Sequence, residues 1–264
     1  MSPILTVSHI AHQFNKRPLL QDVSFVVHPG ESVILTGTNG SGKSTLVRII
    51  AGLLRPRRGT VTFAPALSWG WCPDSLSPEV ITAQAWLTEC GMMSGLAPAI
   101  TQPQIAALAD TFLLTPYLHT PIRHLSKGNR QKTALIQSLL GHPQLLLLDE
   151  PLSGIDKDAR PVIIQYLQHF RDTGGALVTI AHEPGVIQQL GTTVYRLNEG
   201  TLSVETAPPR ADIYIIRYAP TTAAQPLPAD WPAAELTVPA GEHDNVLTTL
   251  IHRGYTIQEV RHAH

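Results

Sequence analysis

The chain is predicted to be a mixed α/β protein: a largely parallel core with an N-terminal antiparallel β part and a helical insertion, followed by a small C-terminal α+β domain. Three observations predict this. Short apolar strand-like runs alternate with helically spaced segments between residues 32 and 205. One long block opening at residue 75 has helical spacing only. After Glu205 the composition shifts to a proline-bearing stretch and then to a separate β-β-α-β pattern.

In chain order, "PILTVSHIAHQF" and "QDVSFVVHPGE" read as two strands joined by a polar turn. "SVILTG" (32–37) is an apolar strand ending in glycine, and the helix "KSTLVRIIAGLL" follows, stopped by "RPRRG". "TVTFA" and "ALSWGWC" are strand-like, the latter ending at Pro73. "VITAQAWLTECGMMSGL" and "PQIAALADTFLL" are helical, and the insertion is placed at about 75–135. Helix 130–140, strand 144–148, helix 158–172, strand 176–182 and a short helix from 184 complete the alternation. Residues 193–205 read as a hairpin turning at Asn198-Glu199-Gly200. Domains are therefore expected at 1–205 and 206–264, the second carrying strands near 211–219, "AELTVPA" and "YTIQEV", and a helix in "EHDNVLTTLIHRG".

The 264 residues carry a formal net charge of −1 with no long run of either sign, which argues against nucleic-acid binding by bulk electrostatics. Two cysteines, Cys72 and Cys90, argue for a reducing compartment rather than a disulfide scaffold. The twelve histidines form no HExxH pair. The N-terminus lacks the basic start and apolar core of a signal peptide, and no apolar run approaches the ~20 residues of a membrane span.

"GTNGSGKST" (37–45) matches GxxxxGK[ST] between a strand and a helix. Its glycines let backbone N–H groups curl around phosphate oxygens, and the helix N-terminus adds partial positive charge. Thr38, Asn39, Gly40, Ser41, Gly42, Lys43, Ser44 and Thr45 are the candidate nucleotide contacts, with Lys43 reaching the β- and γ-phosphates and Ser44 on Mg²⁺. "LLLLDE" (145–150) places Asp149 at a strand's carboxyl end to hold Mg²⁺, and Glu150 where a general base could activate water.

A second candidate phosphate-binding turn, "LSKGNRQK" (125–132), precedes that acidic strand. It resembles the signature motif of the ABC ATPases, the engines of ABC transporters. "EPLSGID" (150–156) resembles the family's D-loop, "TIAHE" (179–183) its switch histidine, and Phe14 its adenine-stacking aromatic. The resemblance covers roughly residues 1–205. It implies ATP and Mg²⁺ as cofactors and two ATPase domains packed head to tail around ATP. Ser126, Lys127, Gly128 and Asn129 would then close over the partner's nucleotide, His182 would contact the γ-phosphate, and Asp156 would align the facing site.

Two positions depart from the family's pattern. Lys127-Gly128-Asn129 stands where many members have Gly-Gly-Gln; Lys127 is familiar among antibiotic, lantibiotic and sodium exporters. Asp74 follows Pro73 where the family has glutamine, and is a candidate Mg²⁺ ligand; Gln84 falls in the later helical segment. The resemblance thus implies an exporter ATPase at the cytoplasmic face of a bacterial membrane, driving a permease on a separate chain as a homodimer or with a paired ATPase. The alternatives are an importer ATPase whose C-terminal domain regulates it, and a soluble ABC ATPase. The Lys43–Asp149 interval has no room for the long coiled coil of DNA-repair relatives.

Overall fold

The computed structural model describes residues 2–14, 17–205, 213–221, 224, 226–227, 232, 234–239 and 243–263. The chain divides into two compact units, 1–207 and 208–264.

In the first unit, β1 (Leu5–Phe14) and β2 (Arg17–Val27) pair antiparallel. β3 (Ser32–Thr36) leads through a glycine-rich loop into α1 (Lys43–Ile50), and β4 (Arg58–Phe63) returns to pair with β1. The helix stops four residues short of the apolar run in the sequence. Gly52 takes a left-handed φ of 69°, and the Leu53 N–H turns back to the Arg48 carbonyl.

β5 (Trp69–Cys72) precedes the helical region, where α2 (Ala83–Met93) is capped by Thr82, whose hydroxyl accepts from the Ala85 N–H. α3 (Pro98–Thr111) begins earlier than its spacing predicts, with Pro98 at its first turn and Pro103 inside it. α4 (Lys127–Leu139) also begins earlier than residue 130, because Ser126 caps it. β6 (Leu145–Asp149), α5 (Ala159–Asp172), β7 (Ala176–Ile180) and α6 (Pro184–Leu190) follow. β8 (Thr193–Asn198) and β9 (Thr201–Glu205) form the expected hairpin, with Glu199 and Gly200 both at positive φ.

The central sheet has the order β5-β6-β7-β3-β8-β9, parallel except for the β8–β9 pair. Its middle strands are buried on both faces, which explains their unbroken apolar sequences. Leu146, Leu148, Ile34 and Leu177 pack with the helical region and α5. Leu145, Leu147, Val33, Leu35 and Val178 pack with α1 and the β2-β1-β4 sheet. Among the described residues no helix is long and apolar enough to cross a membrane.

In the second unit, β10 (Ile213–Pro220) lies between β11 (Glu235–Pro239) and β12 (Tyr255–Ala263), all antiparallel. α7 (His243–His252) contributes Val246 and Leu250 to a small core with Ile216, Tyr218 and Val238. The linker reading "TAPPR" lies outside the described residues.

Candidate functional site

β6, β7 and β3 are adjacent and parallel, so their carboxyl ends share one edge of the sheet. There the phosphate loop leaves β3, Asp149 ends β6, and His182 lies two residues beyond β7. The loop must begin with glycine. Gly37 has a φ of 135°, and a Cβ on it would lie 2.3 Å from the Leu197 carbonyl oxygen. Gly42, at φ 106°, is the N-terminal cap of α1.

Lys43 is buried, and its ammonium donates to the Gly37 and Thr38 carbonyls at 2.9 Å each. Burial lowers its pKa, while the charges of Glu150 and Asp149 pull the other way. The Ser44 hydroxyl donates to Asp149 Oδ1 at 3.1 Å. Asp149 is 1% exposed; burial pushes its carboxyl up, the Ser44 hydrogen bond opposes this, and the negative charge of Asp74 adds to it. A hydroxyl beside a carboxylate is a hard-oxygen pair that would suit a magnesium ion. Asp74 itself is exposed on the turn after Pro73, within electrostatic reach of Asp149.

Glu150 adopts a left-handed φ of 47°, a strained conformation for a residue with a side chain. Its Oε1 lies 3.2 Å from His182 Nε2, and both side chains remain more than a third exposed. A pocket beside them is lined by Leu152, Ser153, Ala181 and Glu183 among others. His182, from beyond β7, and Glu150, from beyond β6, are therefore in contact.

The signature residues are not a loop but the first turn of α4. The Ser126 hydroxyl accepts from the Asn129 N–H at 3.1 Å, so it is the helix cap. Gly128 presses on the D-loop; a Cβ there would lie 2.3 Å from the Gly154 carbonyl oxygen. Lys127 Nζ donates to Ser153 Oγ at 2.7 Å, and Asn129 is 9% exposed. Asp156 accepts from the Ala159 N–H at 2.9 Å and pairs with Lys132. The hydrogen bond from Lys132 and that backbone donor hold its carboxyl below the usual range. Phe14, at the end of β1, is 69% exposed. Thr38, Asn39, Gly40 and Ser41 complete the loop before Lys43 and Ser44, and Thr45 lies in the first turn of α1.

Residues given no role in the motif reading also hold this edge together. Buried Gln131 donates to the Pro73 carbonyl at 3.0 Å, tying α4 to the turn that carries Asp74. Lys132, 3% exposed, and Thr36, just before Gly37, are two more. Their only sequence signal is polar character at positions whose burial cannot be read without the fold.

A family model described as "ABC transporter" matches residues 20–153. "Zinc import ATP-binding protein ZnuC" of Yersinia pestis bv. Antiqua is 32% identical over 206 residues, covering 75% of this chain and 78% of that protein. "Cytochrome c biogenesis ATP-binding export protein CcmA" of Hyphomonas neptunium is 31% identical over 185 residues, covering 69% of this chain and 91% of that protein. A solved "Structure of ATP binding subunit of ABC transporter" superposes with a TM-score of 0.70 at 27% identity, over 77% of this chain and 90% of that one. The exporter subtype inferred from Lys127 and Asp74 is not supported by these relatives, since proteins named for zinc import match at least as well as the one named for export.

Proposed function

Because the chain belongs to the ABC transporter family and is an ATP-binding ATPase subunit of it, we propose that it powers import through a separate membrane permease, hydrolysing ATP between two head-to-tail ATPase units. One observation carries the catalytic part of this reading. Lys43, the Ser44–Asp149 pair and the Glu150–His182 pair converge on one sheet edge, although they come from three separate strands.

In this reading Lys43 and the loop N–H groups bind the phosphates, and Ser44 and Asp149 hold magnesium. When bound, the ion supplies charge neutralisation on the phosphate oxygens. Glu150 takes the proton of the attacking water as its oxygen bonds to the γ-phosphorus and the bond to the bridging oxygen breaks. His182, held beside Glu150, orients that water. Phe14, exposed at the end of β1, is available to stack on adenine. The capped turn of α4, with Ser126 and Gly128, faces the nucleotide held by the partner ATPase chain, adding a helix N-terminus to its γ-phosphate.

Import is preferred over export on the strength of the relatives named for zinc import. The cargo is chosen by the permease, and a divalent cation is the class those names favour. The test is a mild-detergent pull-down of the tagged chain from its native membranes, followed by reconstitution of what co-purifies. A polytopic protein in near-equal amount, with zinc uptake into vesicles driven by ATP enclosed in the lumen, is expected. Outward movement would overturn import, and a chain accompanied only by soluble proteins would overturn the transporter reading.

A further inference from the structure

The last residue of β9 reaches across the sheet to the strand that launches the phosphate loop. Glu205 Oε2 accepts from the Thr36 hydroxyl at 2.8 Å, and Glu205 Oε1 lies 3.4 Å from Arg196 Nε on the intervening strand β8. Thr36 is 8% exposed and immediately precedes Gly37, whose carbonyl receives the Lys43 ammonium. Three side chains from β9, β8 and β3 therefore hold the base of the loop from its outer flank. None of them belongs to the phosphate-loop, signature or D-loop motifs.

We infer that Glu205 is a positioning residue for nucleotide binding, acting through Thr36 on the phosphate loop. The loop's opening turn is already confined on one side, because Gly37 lies against the Leu197 carbonyl. The Thr36 hydroxyl is the nearest side-chain anchor before that turn, and an ionised carboxylate is a stronger acceptor for it than the Tyr195 carbonyl 3.3 Å away. Losing this anchor frees the residue that sets where Gly37 and Lys43 stand, which weakens ATP binding and leaves the attacking water, served by Glu150 and His182, untouched.

This inference rests on ATP binding at the phosphate loop, and the experiment separates the two. ATP hydrolysis and equilibrium binding of a fluorescent ATP analogue are measured on the full chain for wild type, Glu205→Ala, Glu205→Gln, Thr36→Val and the Thr36→Val/Glu205→Ala pair. Glu205→Ala and Thr36→Val are each expected to raise KM and the analogue's Kd by about tenfold with kcat held, the effect of one charged hydrogen bond. The double variant should be no worse than either single one. Glu205→Gln keeps an oxygen acceptor without the charge and should fall between wild type and Glu205→Ala. An unchanged KM, additive losses, or a fall in kcat that tracks a lower Tm would overturn the inference. Wild type that binds no nucleotide would instead overturn the functional reading itself.

Discussion

Lys132 Nζ lies 2.6 Å from Asp156 Oδ2, joining the buried face of the signature helix to the D-loop. The ammonium is 3% exposed and the carboxylate 52%, so the pair spans from the interior to the surface. Together with the Lys127–Ser153 hydrogen bond and the Gly128–Gly154 contact, it makes the start of α4 and the segment from Glu150 to Asp156 one packed body. The turn proposed to serve the partner's ATP is thereby fastened to the loop that begins at this chain's own candidate base.

Removing Asp156 should leave the Lys132 ammonium buried without its counter-charge. Asp156→Ala is expected to lower unfolding stability by about 1–2 kcal/mol in urea titrations, less than a fully buried pair because the carboxylate is half exposed. The pH dependence follows from the depressed carboxyl of Asp156. Its contribution is fully present above the unfolded carboxylate value of about 4 and is lost as pH falls through the lower folded value. The variant should therefore lose less stability than wild type over that acid window; parallel curves would exclude the pair as its source.

Gly128→Ala inserts a methyl group where only 2.3 Å separates an added Cβ from the Gly154 oxygen. The helix start must shift away from the D-loop. Because the chain's own phosphate loop lies elsewhere, single-unit nucleotide affinity should hold while hydrolysis falls by about tenfold or more. Loss of both together would argue that the substitution simply unfolds this region.

Glu150→Gln keeps the shape of the side chain and removes the proposed base. Turnover should fall by about 10²–10⁴-fold with ATP still bound, and the ATP-loaded form should accumulate as a dimer in size-exclusion chromatography. Hydrolysis that survives at a near-normal rate would take Glu150 out of the mechanism.

Asp74 adds negative charge near Asp149, and Gln131 holds the backbone just before it. Asp74→Gln should retain ATP binding and change how strongly the permease stimulates hydrolysis. Identical basal and stimulated rates in the variant would assign Asp74 to the solvated surface alone.

The motifs in order were legible because their chemistry is local. A glycine-rich loop between strand and helix, an apolar strand ending in two carboxylates, and a serine before a helix each declare themselves within a few residues. The alternation of elements and the Asn198–Thr201 hairpin were legible for the same reason. Helix starts were less so: α4 begins at Lys127 rather than 130, because a capping hydrogen bond outweighs the polar look of Lys127 to Asn129.

What the sequence determined by itself was the kind of chemistry and the family, since both depend on short motifs and their order. Tertiary structure alone decided which distant groups meet. The contacts Glu150–His182, Lys132–Asp156, Gln131–Pro73 and Thr36–Glu205 each need parallel strands or a packed helix to bring separated residues within hydrogen-bond reach. Burial of a lysine or a glutamine is likewise a property of the folded surroundings, set by what packs over the side chain and not by the residues beside it in the chain.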